Sequence, residues 1–254
     1  MTQPAACKKK PASKMRKSYI LKLIVRCVIL LASVAAYIVR PQWFGILEGD
    51  RFFRELSPLH ILWVVWMIDM ILQLIPMKNH IPLGSHKHQS RRFRPTDKPL
   101  DHEAMMRYIR TATKGAYKVF IIWSAALVVL GILYAFRILK TEHLFLISVA
   151  FYVCDLICVL IWCPFRLMMK TRCCTTCRIF NWDHMMMFTP MLFVNSFFSV
   201  TLIAMAFAVW LVWELSVMLH PERFWEQTNQ ALRCSQCTDK LCTQFCSRQR
   251  FTKK

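Results

Sequence analysis

Glycine is scarce, with five residues in 254. That is too few for a glycine-rich phosphate-binding fold or a collagen repeat. Acid is scarce as well: 14 Asp and Glu stand against 34 Lys and Arg, which leaves a formal charge of +20. Charged residues of both signs reach only 19%, below the roughly 25% usual for a soluble domain. The chain contains no G-x-S-x-G, no H-E-x-x-H and no phosphate loop. It therefore lacks the local signatures of nucleophile-elbow, zincin and P-loop enzymes, and a non-enzymatic role is expected.

Apolar residues, in contrast, make up 56%, with 18 Phe and 9 Trp and a mean hydropathy of +0.35. This content excludes a disordered basic tail. Oil and positive charge coexist when they are segregated, with apolar spans in lipid and basic connections on an anionic membrane face. Nucleic acid is not an expected partner, because the aromatics sit in the apolar runs rather than between basic residues.

The expected fold is therefore all-α, a polytopic transmembrane bundle, since helices satisfy their own backbone groups in lipid. Spans are expected at about 19–39, 61–76, 119–139, 144–162 and 196–219, after a basic tail over 1–18 and before a cysteine-rich tail over 220–254. Pro76 and Pro164 stand where spans should stop. Residues 101–117 carry Ala104, Met105, Tyr108 and Ile109 at helical spacing, with Asp101 placed to cap. They are expected to form a separate amphipathic helix on the membrane surface.

Lys and Arg set the orientation. The N-terminus has six, the connection 41–60 two, the loop 78–118 ten, the turn 140–143 one and the loop 163–184 four. The alternation places the N-terminus and the two basic loops in the cytoplasm and the chain in the plasma membrane. The tail 220–254, with seven, favours the same side, whereas five crossings would put it outside. The stretch 185–219 decides the matter. Its 35 residues fall short of two crossings of about 20 each. Five crossings with an external tail are therefore expected, with a short re-entrant piece before the last span; a hairpin there would make six.

Arg26, Asp69 and Asp155 fall inside expected spans, each about seven residues from an inner end. At 1.5 Å per residue all three lie about 10 Å below the cytoplasmic surface. A charge at that depth needs a partner or water, so the three form a candidate intramembrane polar site, of use to a small transporter or channel or as a packing pair. Arg137 and Glu214 are expected near the outer ends of their spans.

The 12 Cys form the second anomaly. Cys7, Cys27, Cys154 and Cys158 read as inert or as apolar packing, and Cys163 stands at the membrane edge. The tail holds Cys234, Cys237, Cys242 and Cys246 in the spacing C-x2-C-x4-C-x3-C. Four thiolates within so short a loop can complete a tetrahedral shell, and Arg233 and Lys240 favour the thiolate form. Iron–sulfur, zinc, two disulfides and free thiols all remain open for these four. Cys173, Cys174 and Cys177 with His184 form a second candidate metal site. The pair Cys174 and Cys177 could also join Cys234 and Cys237 in one four-thiolate site, if both lie on one membrane face. His80, His86 and His88 form a loose cluster in a basic loop.

The segment Cys234–Cys246 resembles the cluster-binding motif of the ferredoxin-like iron–sulfur subunits of molybdenum oxidoreductases. The resemblance implies a [4Fe–4S] cluster on these cysteines. It covers only this segment. Ser247 replaces the proline that follows the fourth cysteine in that family, and one motif stands where the family carries several. As a whole the chain resembles uncharacterised bacterial polytopic membrane proteins with cysteine-rich tails, which implies no activity. The leading expectation is a membrane protein with a cysteine-ligated iron–sulfur or zinc site in an electron-transfer or structural role. The rivals are the small transporter and a lipid-binding assembly factor with tail disulfides. Expected partners are anionic lipid at the cytoplasmic face and a membrane subunit.

Overall fold

The computed structural model describes residues 14–75, 93–96, 101–169 and 177–233, and those residues are helical with no strand longer than a single bridge. Seven α-helices follow one another: α1 Lys14–Val39, α2 Leu59–Leu74, α3 His102–Ala135, α4 Thr141–Leu160, α5 Pro164–Met168, α6 Asp183–Phe188 and α7 Phe197–Leu219. Four of them, α1, α3, α4 and α7, are long and apolar enough to cross a membrane; α2, with 16 residues, is shorter.

Local chemistry sets the ends. Pro41 stops α1, because the residue before a proline avoids helical ψ. The Asp101 carboxylate accepts from the Ala104 N–H at 2.9 Å and starts α3. The Ser196 hydroxyl accepts from the Ser199 N–H at 3.2 Å and starts α7. The surface helix and third span expected as two pieces are one helix of 34 residues. No proline interrupts it, and Gly115 and Gly131 are tolerated. At 1.5 Å per residue it reaches about 51 Å, so its first turns project well beyond a hydrocarbon layer.

The core gathers around Trp66 of α2. The rings of Phe145, Tyr152, Phe188 and Phe198 surround it at centroid distances between 5.0 and 6.4 Å. The outward faces stay apolar: Leu21, Ile24 and Leu31 of α1 are 62%, 54% and 69% exposed. Such surfaces suit lipid rather than water, and the protein is read as membrane-embedded.

Contacts sort the chain into two ends. At one end, the Tyr37 hydroxyl of α1 meets His143 of α4 at 3.0 Å, and Trp63 of α2 donates to Thr201 of α7 at 2.9 Å. Gly49, in the left-handed conformation (φ 53°), bridges Ser196 there. At the other end, Tyr19 of α1 packs on Leu156 and Leu160 of α4. The chain after α7 also lies at this end. Gln230 N–H donates to the Arg94 carbonyl at 2.8 Å, and the Trp225 and Tyr108 rings stack at 6.1 Å.

Residues 178–193 connect the two ends. Arg178 sits at the end that holds the tail, where it meets Glu214, while Phe193 lies against Tyr134 and Gly131 near the opposite end. The stretch is broken into a 3-10 segment Arg178–Trp182, α6, and a 3-10 segment Thr189–Phe193. A 3-10 turn rises about 2.0 Å per residue against 1.5 Å in an α-helix, so the three pieces reach about 29 Å if collinear. The sequence expectation considered residues 185–219 and counted α-helical rise alone, whereas the broken stretch begins at Arg178 and includes two 3-10 segments. The described part of the tail, residues 220–233, packs beside Arg94, Pro95 and Tyr108.

Candidate functional site

Arg26 lies midway along α1 and is 9% exposed. Its Nη1 donates to Asp155 Oδ2 at 2.8 Å and to the Tyr152 carbonyl at 2.6 Å. The guanidinium carbon lies 3.8 Å from the centroid of the Tyr152 ring. Tyr152 and Asp155 are three residues apart on α4 and therefore share a face, so one helix supplies a carboxylate, a carbonyl and an aromatic surface to the same cation. These contacts replace the water that a buried guanidinium loses.

A second set meets across α2 and α6. Asp69 and Gln73 stand four residues apart on α2, on one face. His184, 3% exposed, points between them. Its Nε2 lies 3.3 Å from Asp69 Oδ2, its Nδ1 lies 3.0 Å from Asp183 Oδ1, and the Gln73 amide is 3.1 Å from Nδ1. Its own N–H donates to Asp183 Oδ1 at 2.8 Å. Nε2 thus faces the Asp69 carboxylate, to which it can donate, while Nδ1 has both the Asp183 carboxylate and the Gln73 amide nitrogen, a donor, within reach. The cluster gathers one guanidinium, one imidazole and three half-buried carboxylates, and an exposed Lys22 stands one turn from Arg26 on α1.

The two sets share a cavity of about 240 Å³ lined by Asp155 and Asp183 together with Cys154, Cys158, Cys163 and Cys177. Trp123 of α3 and Met187 of α6 close its wall. The arrangement can hold protons or a small cation between acidic groups that belong to different helices.

Of the expected polar site, Arg26 and Asp155 pair directly, while Asp69 bonds His184. Sequence reasoning assigned His184 to a metal cluster and missed it, with Asp183, as the partners of a span carboxylate. The signal was present: Asn181-Trp182-Asp183-His184 puts polar side chains at the threshold of an apolar run. Glu214, expected near the outer end with Arg137, instead accepts from Arg178 at 2.5 Å and from Trp182 Nε1 at 2.8 Å. The broken segment brings residue 178 to the end of α7 that carries Glu214.

The cysteine expectations divide. Cys234, Cys237, Cys242 and Cys246 lie outside the described residues, as do Cys173, Cys174 and the histidines 80, 86 and 88. Cys177 is buried, and its thiol points to Met169 Sδ at 3.7 Å. Among the described residues, no group of three or more His, Cys, Asp or Glu is arranged to hold a metal ion. No protein-family model, curated protein or solved structure matches the chain.

Proposed function

We propose that this is a plasma-membrane protein of six crossings, with both termini cytoplasmic, that moves protons through the cluster of Arg26, Asp69, Asp155, Asp183 and His184. The crossings are α1, α2, α3, α4, the broken stretch 178–193, and α7. The count supports a consistent charge pattern, since the tail's seven Lys and Arg then join the other basic loops on one face. That face suits anionic lipid and a membrane partner subunit.

One observation carries the reading: a discontinuous segment delivers a His–Asp pair to span carboxylates beside a cavity. Broken helices with buried ionisable groups are where membrane transporters place their sites. One guanidinium and one imidazole face three carboxylates, so the set offers neighbouring oxygens and ring nitrogens between which a proton can pass.

The test is proton uptake into reconstituted vesicles under an inside-negative diffusion potential, read with a pH-sensitive dye. Uptake above that of protein-free vesicles is expected. Asp69→Asn and Asp155→Asn, in preparations whose melting shows them folded, should lower it at least tenfold. Wild-type vesicles as tight as protein-free ones would refute the reading.

A second reading has its own support. Cys177 and Arg178 line a small crevice with Tyr108 and Phe224, next to the start of the tail. If the tail stays on that face, Cys174 and Cys177 can meet Cys234 and Cys237 around zinc, or the tail's four cysteines can hold a [4Fe–4S] cluster unaided. Metal analysis with an absorbance spectrum of anaerobically purified protein decides this. Less than about half an equivalent of zinc or iron would remove it.

A further inference from the structure

The cavity beside the charged cluster is lined by sulfur as well as by carboxylate. Cys154 and Cys158 share a face of α4, and Cys163 follows where that helix ends. The Ile161 and Trp162 N–H groups both donate to the Ile157 carbonyl, at 2.8 and 3.0 Å. The second is an i→i−5 bond, a wider π-type turn, so the helix unwinds there and the chain leaves its axis. Cys163 then takes an extended conformation, with φ −126° and ψ 117°, and Pro164 opens α5. Cys158 and Cys163 thus line one cavity with their side chains in contact, and neither is in a disulfide. Cys154, Cys177, Met186 and Met187 line the same cavity.

We propose that Cys158 and Cys163 form a two-coordinate thiolate site for a soft monovalent cation, Cu(I) or Ag(I). Thiolate and thioether sulfur select such ions over hard cations. A linear bis-thiolate complex needs two ligands, and two thiols already in contact require little rearrangement to accept one ion between them. The absence of a three-ligand group among the described residues is consistent with this and argues against zinc here. Methionine sulfur nearby supplies a soft surface along which an ion can enter. Each thiol loses its proton as sulfur binds the ion, so one Cu(I) displaces two protons and the bis-thiolate complex carries a single negative charge. The site goes beyond the proton-transfer reading and stands whether or not protons move through the cluster.

The test is an anaerobic Cu(I) titration, in competition with a chromogenic chelator, of the detergent-purified full chain. In the parent for this titration, Cys7, Cys27, Cys173, Cys174, Cys234, Cys237, Cys242 and Cys246 are replaced by Ser. One equivalent should bind, with a rise in melting temperature, and Cys158→Ser or Cys163→Ser should abolish both effects. Cys154→Ser should retain both. In the wild-type background, the double change at 158 and 163 should lower the total Cu(I) bound by one equivalent, a comparison that does not depend on the multiply substituted parent folding. A wild-type total unchanged by that double substitution would overturn the proposal. So would a folded parent that takes up less than about half an equivalent.

Discussion

The Arg26–Asp155 pair allows a quantitative test of whether the polar cluster is a coupled unit. Arg26→Leu leaves the Asp155 carboxylate, whose side chain is 15% exposed, without its cation. Asp155→Leu leaves an 11% exposed guanidinium side chain with only the carbonyl and ring of Tyr152. Removing one member of a buried pair costs about 3–5 kcal/mol, because the survivor stays desolvated and uncompensated. Replacing both by apolar side chains removes the charges together. The double variant then loses mainly the Tyr152 contacts, about 2 kcal/mol or less. The thermodynamic cycle should therefore return a coupling of at least about 3 kcal/mol. Reversible unfolding in mixed micelles, followed by circular dichroism, measures it for the four proteins. A double variant as unstable as the sum of the singles would refute the argument, as would a single change costing under about 1 kcal/mol.

Three further outcomes are expected. Tags on the two termini should both be reached by protease from the cytoplasmic side of membrane vesicles; a C-terminal tag protected there would break the six-crossing reading. Glu214→Gln keeps an acceptor for Trp182 but strips the charge from the partner of Arg178, and should lower stability by about 1–3 kcal/mol on the same unfolding assay. Arg137 holds a left-handed conformation, φ 58°, just past the end of α3. Arg137→Gly relieves about 1–2 kcal/mol of strain and adds about 0.5–1 of unfolded-state entropy, so a small rise in melting temperature is expected.

The helices were legible because lipid imposes a simple rule on sequence. Apolar runs of crossing length announced α1, α4 and α7 to within a few residues at most ends, and Arg26 and Asp155 stood out because charge is rare inside such runs. The pairing was harder to read. Asp69 was visible, but its partner His184 lies in a stretch whose periodicity is broken by changes of helix type, and no single period describes it. The Cys158–Cys163 contact was hidden for a similar reason. It depends on how α4 unwinds at Ile161 and Trp162, and spacing alone put the two residues on opposite sides of a helix end.

In the six-crossing reading, the broken stretch 178–193 supplies reach and chemistry together. As one α-helix, its 16 residues would extend about 24 Å, short of the roughly 30 Å of hydrocarbon. The 3-10 pieces at its two ends recover the missing length, and they fix where the short α6 begins. Five residues of 3-10 rise set Asp183 about 10 Å in from Arg178. From the inner ends of their own helices, Asp69 and Asp155 are each five residues in, about 7.5 Å, and Arg26 is twelve residues in, about 18 Å. The placement of Asp183 and His184 by a 3-10 rise makes a test of register available. Inserting one alanine after Trp182 would move Asp183 and His184 by about 100° and 1.5 Å relative to α2. It would part His184 from Asp69 while leaving Arg26 and Asp155 paired. Proton uptake should then fall as in Asp69→Asn, and the Arg26–Asp155 coupling energy should be unchanged. Loss of that coupling as well would mean that the two halves of the cluster fold as one.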